Sequence, residues 1–190
     1  KEQGALIIKG KNYFIFVYTH SYIDHYRKLG CHLLCRFFEL FINTAILEDW
    51  NLRDEPVNCE SIWEGFKQYE DEFSKELTEF IVTFYSDSAS GKIDFMKLSR
   101  FLAEQLLTAR LIWDFEEFMA TWEKSFNDLY KPELDHIKDL LLINQHPGSG
   151  RLEVKKFLRS ELPSDVEARF IALFKTRTRW QYTDLVPFIR

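Results

Sequence analysis

A short pattern of a glycine, a cation and alternating apolar and acidic residues occurs twice in the chain. It reads Gly-Lys-Ile-Asp-Phe at residues 91–95 and Gly-Arg-Leu-Glu-Val at residues 150–154, 59 residues later. Trp63 and Trp122 are separated by the same 59 residues. Because a fixed period is the signature of repeated supersecondary units, the pattern predicts a tandem array of small helical units.

Each unit is predicted to contain a long helix, a short strand, two further helices and a small hairpin. A third similarity, between Trp113–Phe118 and Trp180–Leu185, falls at the strand and second helix of such a unit. This element order is that of a winged helix, in which the second and third helices form a helix-turn-helix and the hairpin is the wing. The predicted fold class is therefore α+β and mostly helical, with tandem winged-helix (helix-turn-helix) domains and short β-hairpin wings.

The repeat also predicts the domain boundaries. Residues 1–20 are expected to form a β-hairpin around Gly10, leading from a missing N-terminal region. Residues 21–95 are the first winged helix, residues 96–160 the second, and residues 161–190 the start of an incomplete third. The abrupt start and the unfinished third unit indicate a fragment of a longer chain.

In the first unit, residues 21–48 are predicted to form a long helix, with Ser21 as N-cap and Gly30 as a point where it could break. The second and third helices are expected at Cys59–Gln68 and Ser74–Tyr85. Apolar residues at helical spacing predict the core faces. They are Leu34, Phe37, Phe38, Phe41 and Ala45 in the first helix, widened by Leu33, Leu40 and Leu47, and Leu77, Phe80, Ile81 and Phe84 in the third.

The second and third units follow the same scheme. A third helix opening at Pro132 and a wing turn at Gly148–Gly150 are expected in the second unit. In the third unit, Ser164 or Asp165 caps a helix. The remaining predicted features are core residues Leu98, Phe101, Leu102 and Leu106, a strand at Leu111–Trp113, a helix at Glu116–Phe126, an apolar face of Val166, Phe170, Leu173 and Phe174, an extended Trp180–Tyr182 and a helix at Asp184–Ile189.

The charge of the chain is unevenly distributed. The formal net charge is −5, yet from Gly150 onward there are nine Lys and Arg against five Asp and Glu. A wholly basic nucleic-acid binder does not have this composition, so phosphate contacts are expected only toward the C-terminal end. The candidate DNA-binding residues, which would contact phosphate, are Arg151, Lys155, Lys156, Arg159, Lys175, Arg177 and Arg179.

Sequence-specific DNA reading through the predicted third helices is disfavoured by their charge. The first carries or adjoins Glu70, Asp71 and Glu72, and the second carries Asp135 and Asp139. Phosphate repulsion opposes the insertion of such helices into a groove. What remains is sequence-independent contact through the basic residues, and the alternative is that these residues form a solvated basic face. The tryptophans are expected to pack in the core.

Metal or thiol chemistry has little support in the sequence. Cys31, His32 and Cys35 share a helix, with His20 and His25 nearby, but a zinc site needs four convergent ligands. Buried structural thiols are the simpler interpretation. No phosphate loop occurs, so we expect no cofactor, no metal and no enzymatic activity. We also expect no membrane partner, because we find no run of residues that is long and apolar enough to span a bilayer.

The stretch Glu161–Ile189 resembles the C-terminal part of the Dcc family, the "defective in sister chromatid cohesion" subunit of the alternative replication factor C clamp loader. The likeness is good over about the last 40 residues and weaker but in order back to about residue 5. The first-unit helix, Trp50 and the Trp122 helix fit loosely. The residues that carry the resemblance are Leu162-Pro163, Arg169-Phe170, Leu173-Phe174, Trp180, Asp184 and Pro187-Phe188-Ile189.

This resemblance implies a non-enzymatic scaffold and DNA-binding subunit, located in the nucleus. It implies three winged helices that contact single- or double-stranded DNA and DNA polymerase epsilon. The complex would include the chromosome-transmission-fidelity subunits and act on PCNA in replication and sister chromatid cohesion. The alternative is a pure protein–protein scaffold, as in proteasome-lid or signalosome subunits that end in a winged helix.

Overall fold

The computed structural model describes residues 6–9, 14–17, 24–146 and 148–189, with side chains described from Gly30 onward. The chain divides into two compact units, residues 1–98 and 99–190. The fold is mixed α+β and mostly helical, as predicted. Its assignment as tandem winged helices, and the domain boundaries predicted above, stay predictions.

Two short strands come first. Strand β1 (Leu6–Lys9) pairs antiparallel with β2 (Phe14–Val17), so that Leu6 lies opposite Val17. They lie within the stretch for which a hairpin is predicted. The predicted turn at Gly10 and the predicted N-cap Ser21 lie outside the described residues.

Helix α1 (Asp24–Leu47) runs through Gly30 without interruption, so the predicted break is wrong. A lone glycine costs a helix only about 1 kcal/mol, which neighbouring turns offset. Phe37, Phe41 and Ala45 are buried as predicted, whereas Leu47 is 82% exposed. Ile42 and Thr44, which were not predicted, are buried as well, so the buried face is wide but ends before Leu47.

Three helices form the aromatic core of the first unit. Helices α2 (Cys59–Phe66) and α3 (Lys75–Phe84) follow α1, and Asn58 and Ser74 cap them by accepting backbone N–H hydrogen bonds. The α2 helix ends in a 3₁₀ turn, and no strand forms between α1 and α2 among the described residues. At the centre lies Phe37, whose ring centroid is 5.0 to 5.9 Å from those of Phe38, Phe41, Phe66 and Phe73.

The expectation that no run is long and apolar enough to span a bilayer is wrong. Within α1, Gly30–Leu47 meets that test by length and composition. In the structure Phe37, Phe38 and Phe41 of this window are nevertheless almost completely buried. Their ring contacts with Phe66 are those of a core helix in a globular unit.

The first unit ends in a tight loop at the first copy of the glycine pattern. A single antiparallel bridge joins Ser86 to Ile93, and Gly91 has a φ of 69°. Phe84, predicted to be in the core, is 51% exposed, and its ring packs beneath the Lys97 ammonium, which lies 3.5 Å from the ring centroid. Such a cation–π contact suits a half-exposed ring.

The second unit contains a three-stranded antiparallel sheet of strand order β3–β5–β4. Helix α4 begins before the boundary between the units and continues into the second one. The elements are α4 (Phe95–Ala109), β3 (Ile112–Asp114), α5 (Phe115–Lys124), β4 (Leu141–Gln145), β5 (Leu152–Lys156), α6 (Val166–Thr176) and α7 (Tyr182–Ile189).

The prediction of a helix that begins at Pro132 is wrong. Only one 3₁₀ turn, Leu134–Ile137, forms there, and the chain then enters β4. Leu141, Leu142 and Ile143 pair with β5, which places Ile143 opposite Val154. Periodicity alone does not separate a short buried strand from a helix segment. The sequence analysis therefore assigned the apolar residues of β4 to a helix.

Helices cover both faces of this sheet. On one face Val154 is fully buried beside α5, where Trp113, Phe118 and Trp122 pack as a row of rings. On the other face Leu142 packs with Leu173 of α6 and Phe188 of α7. In α4 the fully buried positions are Leu98, Ser99, Ala103 and Leu107, while the predicted Phe101, Leu102 and Leu106 are only half-buried.

Candidate nucleic-acid interface

The seven candidate cations of the second unit fall into two groups along β5. One lies at the hairpin end of the sheet, near Arg151, and the other surrounds Lys155 at the far end of β5. Four residue-to-residue steps of extended chain lead from Arg151 to Lys155, a distance of about 13 Å. The structure therefore does not gather all seven residues into one patch.

The hairpin-end group comprises Arg151, Arg177 and Arg179, and we count with it Lys175, which lies in the last turn of α6, two residues before Arg177. The backbone N–H of His146 donates to the Arg151 carbonyl at 2.8 Å, which closes the turn between β4 and β5. Gly150 in this turn has a φ of 70°, a left-handed conformation that favours glycine. Arg177, in the loop from α6 to α7, donates to the Ile143 carbonyl of β4 at 2.7 Å, so this loop lies against the strand.

The strand-end group comprises Lys155, Lys156 and Arg159. Lys155 is exposed and has no recorded ion pair among the described residues. The ammonium of Lys156 donates to Thr108 Oγ1 at 3.0 Å, and the backbone N–H of Arg159 donates to the Asp139 carbonyl at 2.9 Å. Lys155 is therefore the most accessible cation of this group.

Arg177 is held in place by the fold. Its guanidinium donates to Asp184 Oδ2 at 2.9 Å and to Asn144 Oδ1 at 2.6 Å, and lies over the Trp180 ring at 5.0 Å from the centroid. The Trp180 indole N–H in turn donates to the Leu173 carbonyl at 3.2 Å. We call this set of contacts an Arg–Trp bracket. Within it, the Asp184 carboxylate offsets much of the positive charge of Arg177.

A second Arg–Trp bracket occurs between α4 and α5. Arg110 lies over Trp113 at 5.0 Å, and it donates to Glu117 at 2.7 Å. The Trp113 indole N–H donates to the Leu106 carbonyl at 3.1 Å. Every spacing matches that of the first bracket, since the aromatic residue follows Arg by three positions and the acid follows it by seven. The sequence similarity at Trp113 and Trp180 indicates the two brackets. The part that the arginines and the acids play in them was not predicted.

The cations with free charge are thus fewer than predicted. Arg151, Lys155, Lys175 and Arg179 are exposed, and none has a recorded ion pair among the described residues. Arg177 is committed to its bracket. Because phosphate contacts need solvent-accessible charge, these four residues form the candidate interface, and their assignment to DNA remains a prediction.

Sequence reasoning also missed an ion pair that positions β4. Arg100 of α4 donates to both carboxylate oxygens of Asp139, at 2.7 and 2.9 Å, and to the His136 carbonyl. Burial by itself would raise the pKa of Asp139, but the hydrogen bonds and charge of Arg100 outweigh it and hold that pKa below its usual range. The only sequence signal for this ion pair was Asp139, an acid predicted to lie on the surface, which α4 covers in the structure.

Replacing Asp139 by Asn should destabilise the protein by about 1–2 kcal/mol at neutral pH, because charge-assisted hydrogen bonds are lost. A carboxylate with a depressed folded-state pKa stabilises above the ordinary Asp value, about 3.9. That stabilisation disappears as the pH falls through the folded-state value. Urea unfolding should therefore show the wild type and Asp139→Asn converging below about pH 4. Glu123→Gln, at an exposed carboxylate, is the control, and a pH-independent gap for Asp139→Asn would contradict the assignment.

The first unit offers a different surface. An open cleft there is lined by Glu48, Glu60 and Glu64 together with Trp50. Its carboxylates repel phosphate, which agrees with the charge asymmetry of the sequence. Nucleic-acid contact is therefore sought in the second unit.

The three cysteines are half-buried rather than fully buried. Burial and the neighbouring Cys31 raise the pKa of the Cys35 thiol, which favours its protonated form. Within the described ranges, no group of three or more His, Cys, Asp or Glu side chains is arranged to hold a metal ion. His20 and His25 lie outside the described side chains.

Helix α6 exposes most of its predicted core face. Leu173 is buried, but Val166 is 69% exposed and Phe174 is 45% exposed. Phe170 is stacked on Phe174 with a centroid distance of 6.4 Å and is also exposed. Only Leu173 therefore takes the position predicted for all four residues. Among the tryptophans, Trp113 and Trp122 are buried as predicted, whereas Trp63 and Trp180 are half-buried.

The described residues define a mostly helical α+β protein with a small antiparallel sheet and exposed cations along its central strand. The sequence profile of a family described as "Sister chromatid cohesion protein Dcc1" matches residues 17–189. The chain therefore belongs to this family, as the resemblance in the sequence predicts.

Curated relatives agree with this assignment. The chain is 31% identical over 100 residues to the sister chromatid cohesion protein DCC1 of Homo sapiens, covering 52% of this chain and 25% of that protein. It is 30% identical over 125 residues to the Xenopus tropicalis protein of that name, covering 61% and 31%. A probable sister chromatid cohesion protein DCC1 of Dictyostelium discoideum is 33% identical over 102 residues, covering 52% and 27%. The match thus spans less than a third of these relatives.

Proposed function

We propose that this chain is part of a non-enzymatic scaffold and DNA-binding subunit that acts in sister chromatid cohesion. By analogy with its family, the subunit belongs to an alternative replication factor C clamp loader that lies in the nucleus and acts on PCNA. Its winged helices contact DNA and DNA polymerase epsilon, and its partners include the chromosome-transmission-fidelity subunits.

The observation that carries the DNA contact is the set of four exposed cations in the second unit, none of which forms an ion pair with another described residue. Arg151 and Arg179 lie at the hairpin end of the sheet, and Lys155 lies about 13 Å away along β5. Phosphates of a DNA backbone are read by such spaced cations without regard to sequence. Arg177 is excluded from this role because its charge is paired with Asp184.

The second candidate is a pure protein–protein scaffold without DNA binding. The exposed apolar face of α6, with Val166, Phe170 and Phe174, favours it. Contiguous apolar surface of this kind is typical of protein contacts. The two functions are separated by whether DNA binds at all.

The test is a titration of the chain with duplex, single-stranded and primer–template DNA at several salt concentrations. We expect affinity without sequence preference that falls steeply with salt, because counterions are released from the phosphates. In the double variant Lys155→Ala/Arg179→Ala, the slope of log affinity against log salt on duplex should become shallower by about 1.8, since each lost contact contributes about 0.9.

The matched control is Lys124→Ala/Lys131→Ala, which removes the same charge from exposed positions outside both groups. It should leave the slope close to that of the wild type. Equal effects of the two double variants would refute the assignment of the interface. No binding of any DNA at low salt would instead favour the protein–protein scaffold.

A further inference from the structure

A cleft lies at the hairpin end of the sheet, between β4 and the loop from α6 to α7. Its volume is about 450 Å³. Asn144 and Gln145 line one side, and Arg179, Trp180 and Gln181 line the other. The cleft therefore adjoins the hairpin-end cations that the proposed function assigns to phosphate.

Arg177 forms a flat, fixed platform in this cleft. Its guanidinium is held by Asp184, Asn144 and the Ile143 carbonyl, and is backed by the Trp180 ring. The side chain is still 21% exposed, and it lines the cleft. Guanidinium planes stack well on nucleobases, and a platform already held in place loses little entropy on binding.

The polar groups around this platform suit a ligand with hydrogen-bonding edges and one negative charge. Gln181 is exposed and has no recorded side-chain hydrogen bond among the described residues, so both its donor and its acceptor are available. Asp184 balances Arg177, so Arg179 carries the uncompensated charge among the described residues that line the cleft. One base edge at Gln181 and one phosphate at Arg179 match these groups better than an acidic peptide, which needs several cations.

We propose that this cleft binds one unpaired base of a single-stranded DNA segment, with the base stacked on Arg177, its edge bonded to Gln181 and the adjoining phosphate at Arg179. This assignment rests on the proposed DNA binding and refines it. A base in a duplex is stacked and paired, so only an unpaired nucleotide enters such a cleft. The chain therefore prefers strands with unpaired bases at this site.

The test compares two labelled oligonucleotides of equal length, an oligo-thymidylate and a strand in which every nucleotide is abasic. Both present the same phosphates, and only the first presents bases. By fluorescence anisotropy, the wild-type chain should bind the thymidylate strand about tenfold more tightly or better, the size expected for base stacking. Gln181→Ala and Arg177→Lys should each bring this ratio toward one.

Two control variants separate base recognition from charge and from folding. Lys175→Ala should weaken both oligonucleotides alike, because it removes only a phosphate contact. Arg110→Lys alters the other Arg–Trp bracket, whose residues do not line the cleft, and should leave the ratio unchanged. A loss of the ratio in Arg110→Lys would mean that bracket damage, not base contact, explains Arg177→Lys.

Three outcomes would overturn the inference. A wild-type ratio near one, with both strands bound, would leave backbone binding intact and refute the base site. Failure of both strands to bind would refute the base site, and the duplex titration described above then decides separately whether the proposed DNA binding fails with it. Thymidine monophosphate competing as tightly as the whole strand would show a free-nucleotide site rather than a strand-binding one.

Discussion

Phe37→Ala is expected to destabilise the first unit by about 3–5 kcal/mol, the range measured for removing a buried aromatic ring. Phe37 is completely buried, and its ring contacts four other rings from α1, from α2 and from Phe73. Its loss opens a cavity that the surrounding rings fill only in part. The midpoint of urea unfolding, followed by circular dichroism, measures the change.

Phe84→Ala is the matched control for this prediction. The same substitution at this half-exposed ring removes less buried surface, together with a cation–π contact with Lys97 and ring contacts with Phe80 and Tyr85. We expect a loss of about 1–2 kcal/mol, smaller than that of Phe37→Ala. Equal losses in the two variants would mean that Phe37 is not the centre of the core.

Trp122→Ala should cost the second unit about 3–5 kcal/mol as well. Trp122 is fully buried, packs on Phe118 at a centroid distance of 5.8 Å, and donates its indole N–H to the Ser99 carbonyl at 3.0 Å. Both the ring volume and the hydrogen bond are lost in this variant. Equilibrium unfolding in urea again gives the difference in free energy.

Trp122→Phe divides this cost into its two parts. It keeps most of the ring and loses the hydrogen bond, so a smaller loss of about 1–2 kcal/mol is expected. Trp63→Phe is the comparison, because Trp63 occupies the repeated position in the first unit but is only half-buried. If Trp122→Phe were as damaging as Trp122→Ala, the hydrogen bond would outweigh the packing, contrary to our argument.

Local signals in the sequence predicted the helices best. The N-caps Ser74 and Asp165 and the apolar stripes of α1 and α3 are largely where they were expected. These features depend on neighbours within one or two turns, which the sequence displays directly. Their boundaries agree to within a few residues.

What failed depends on contacts distant in the sequence. The apolar residues Leu141, Leu142 and Ile143 fit a helix equally well, and only pairing with β5 makes a strand of them. Phe84 and Phe174 continue apolar stripes but stay about half exposed, because the described elements around them cover each ring only in part. A stripe predicts that a face exists, and the tertiary structure decides whether it is buried.

The candidate site shows the same division. The sequence predicted phosphate-binding cations on the C-terminal part of the chain and gave each of them equal weight. The fold distinguishes Arg179, exposed and without a recorded ion pair among the described residues, from Arg177, paired with Asp184 and stacked on Trp180. This difference arises from a partner seven positions later, beyond the reach of a count of charges.

The two Arg–Trp brackets have an evolutionary consequence. Each needs three members at once, and replacing one leaves the others with unsatisfied hydrogen bonds or an exposed ring. Substitutions at Arg110, Trp113 and Glu117 should therefore be inherited together among relatives, as should those at Arg177, Trp180 and Asp184. The brackets would then persist as coupled sets even where the surrounding helices have diverged beyond recognition.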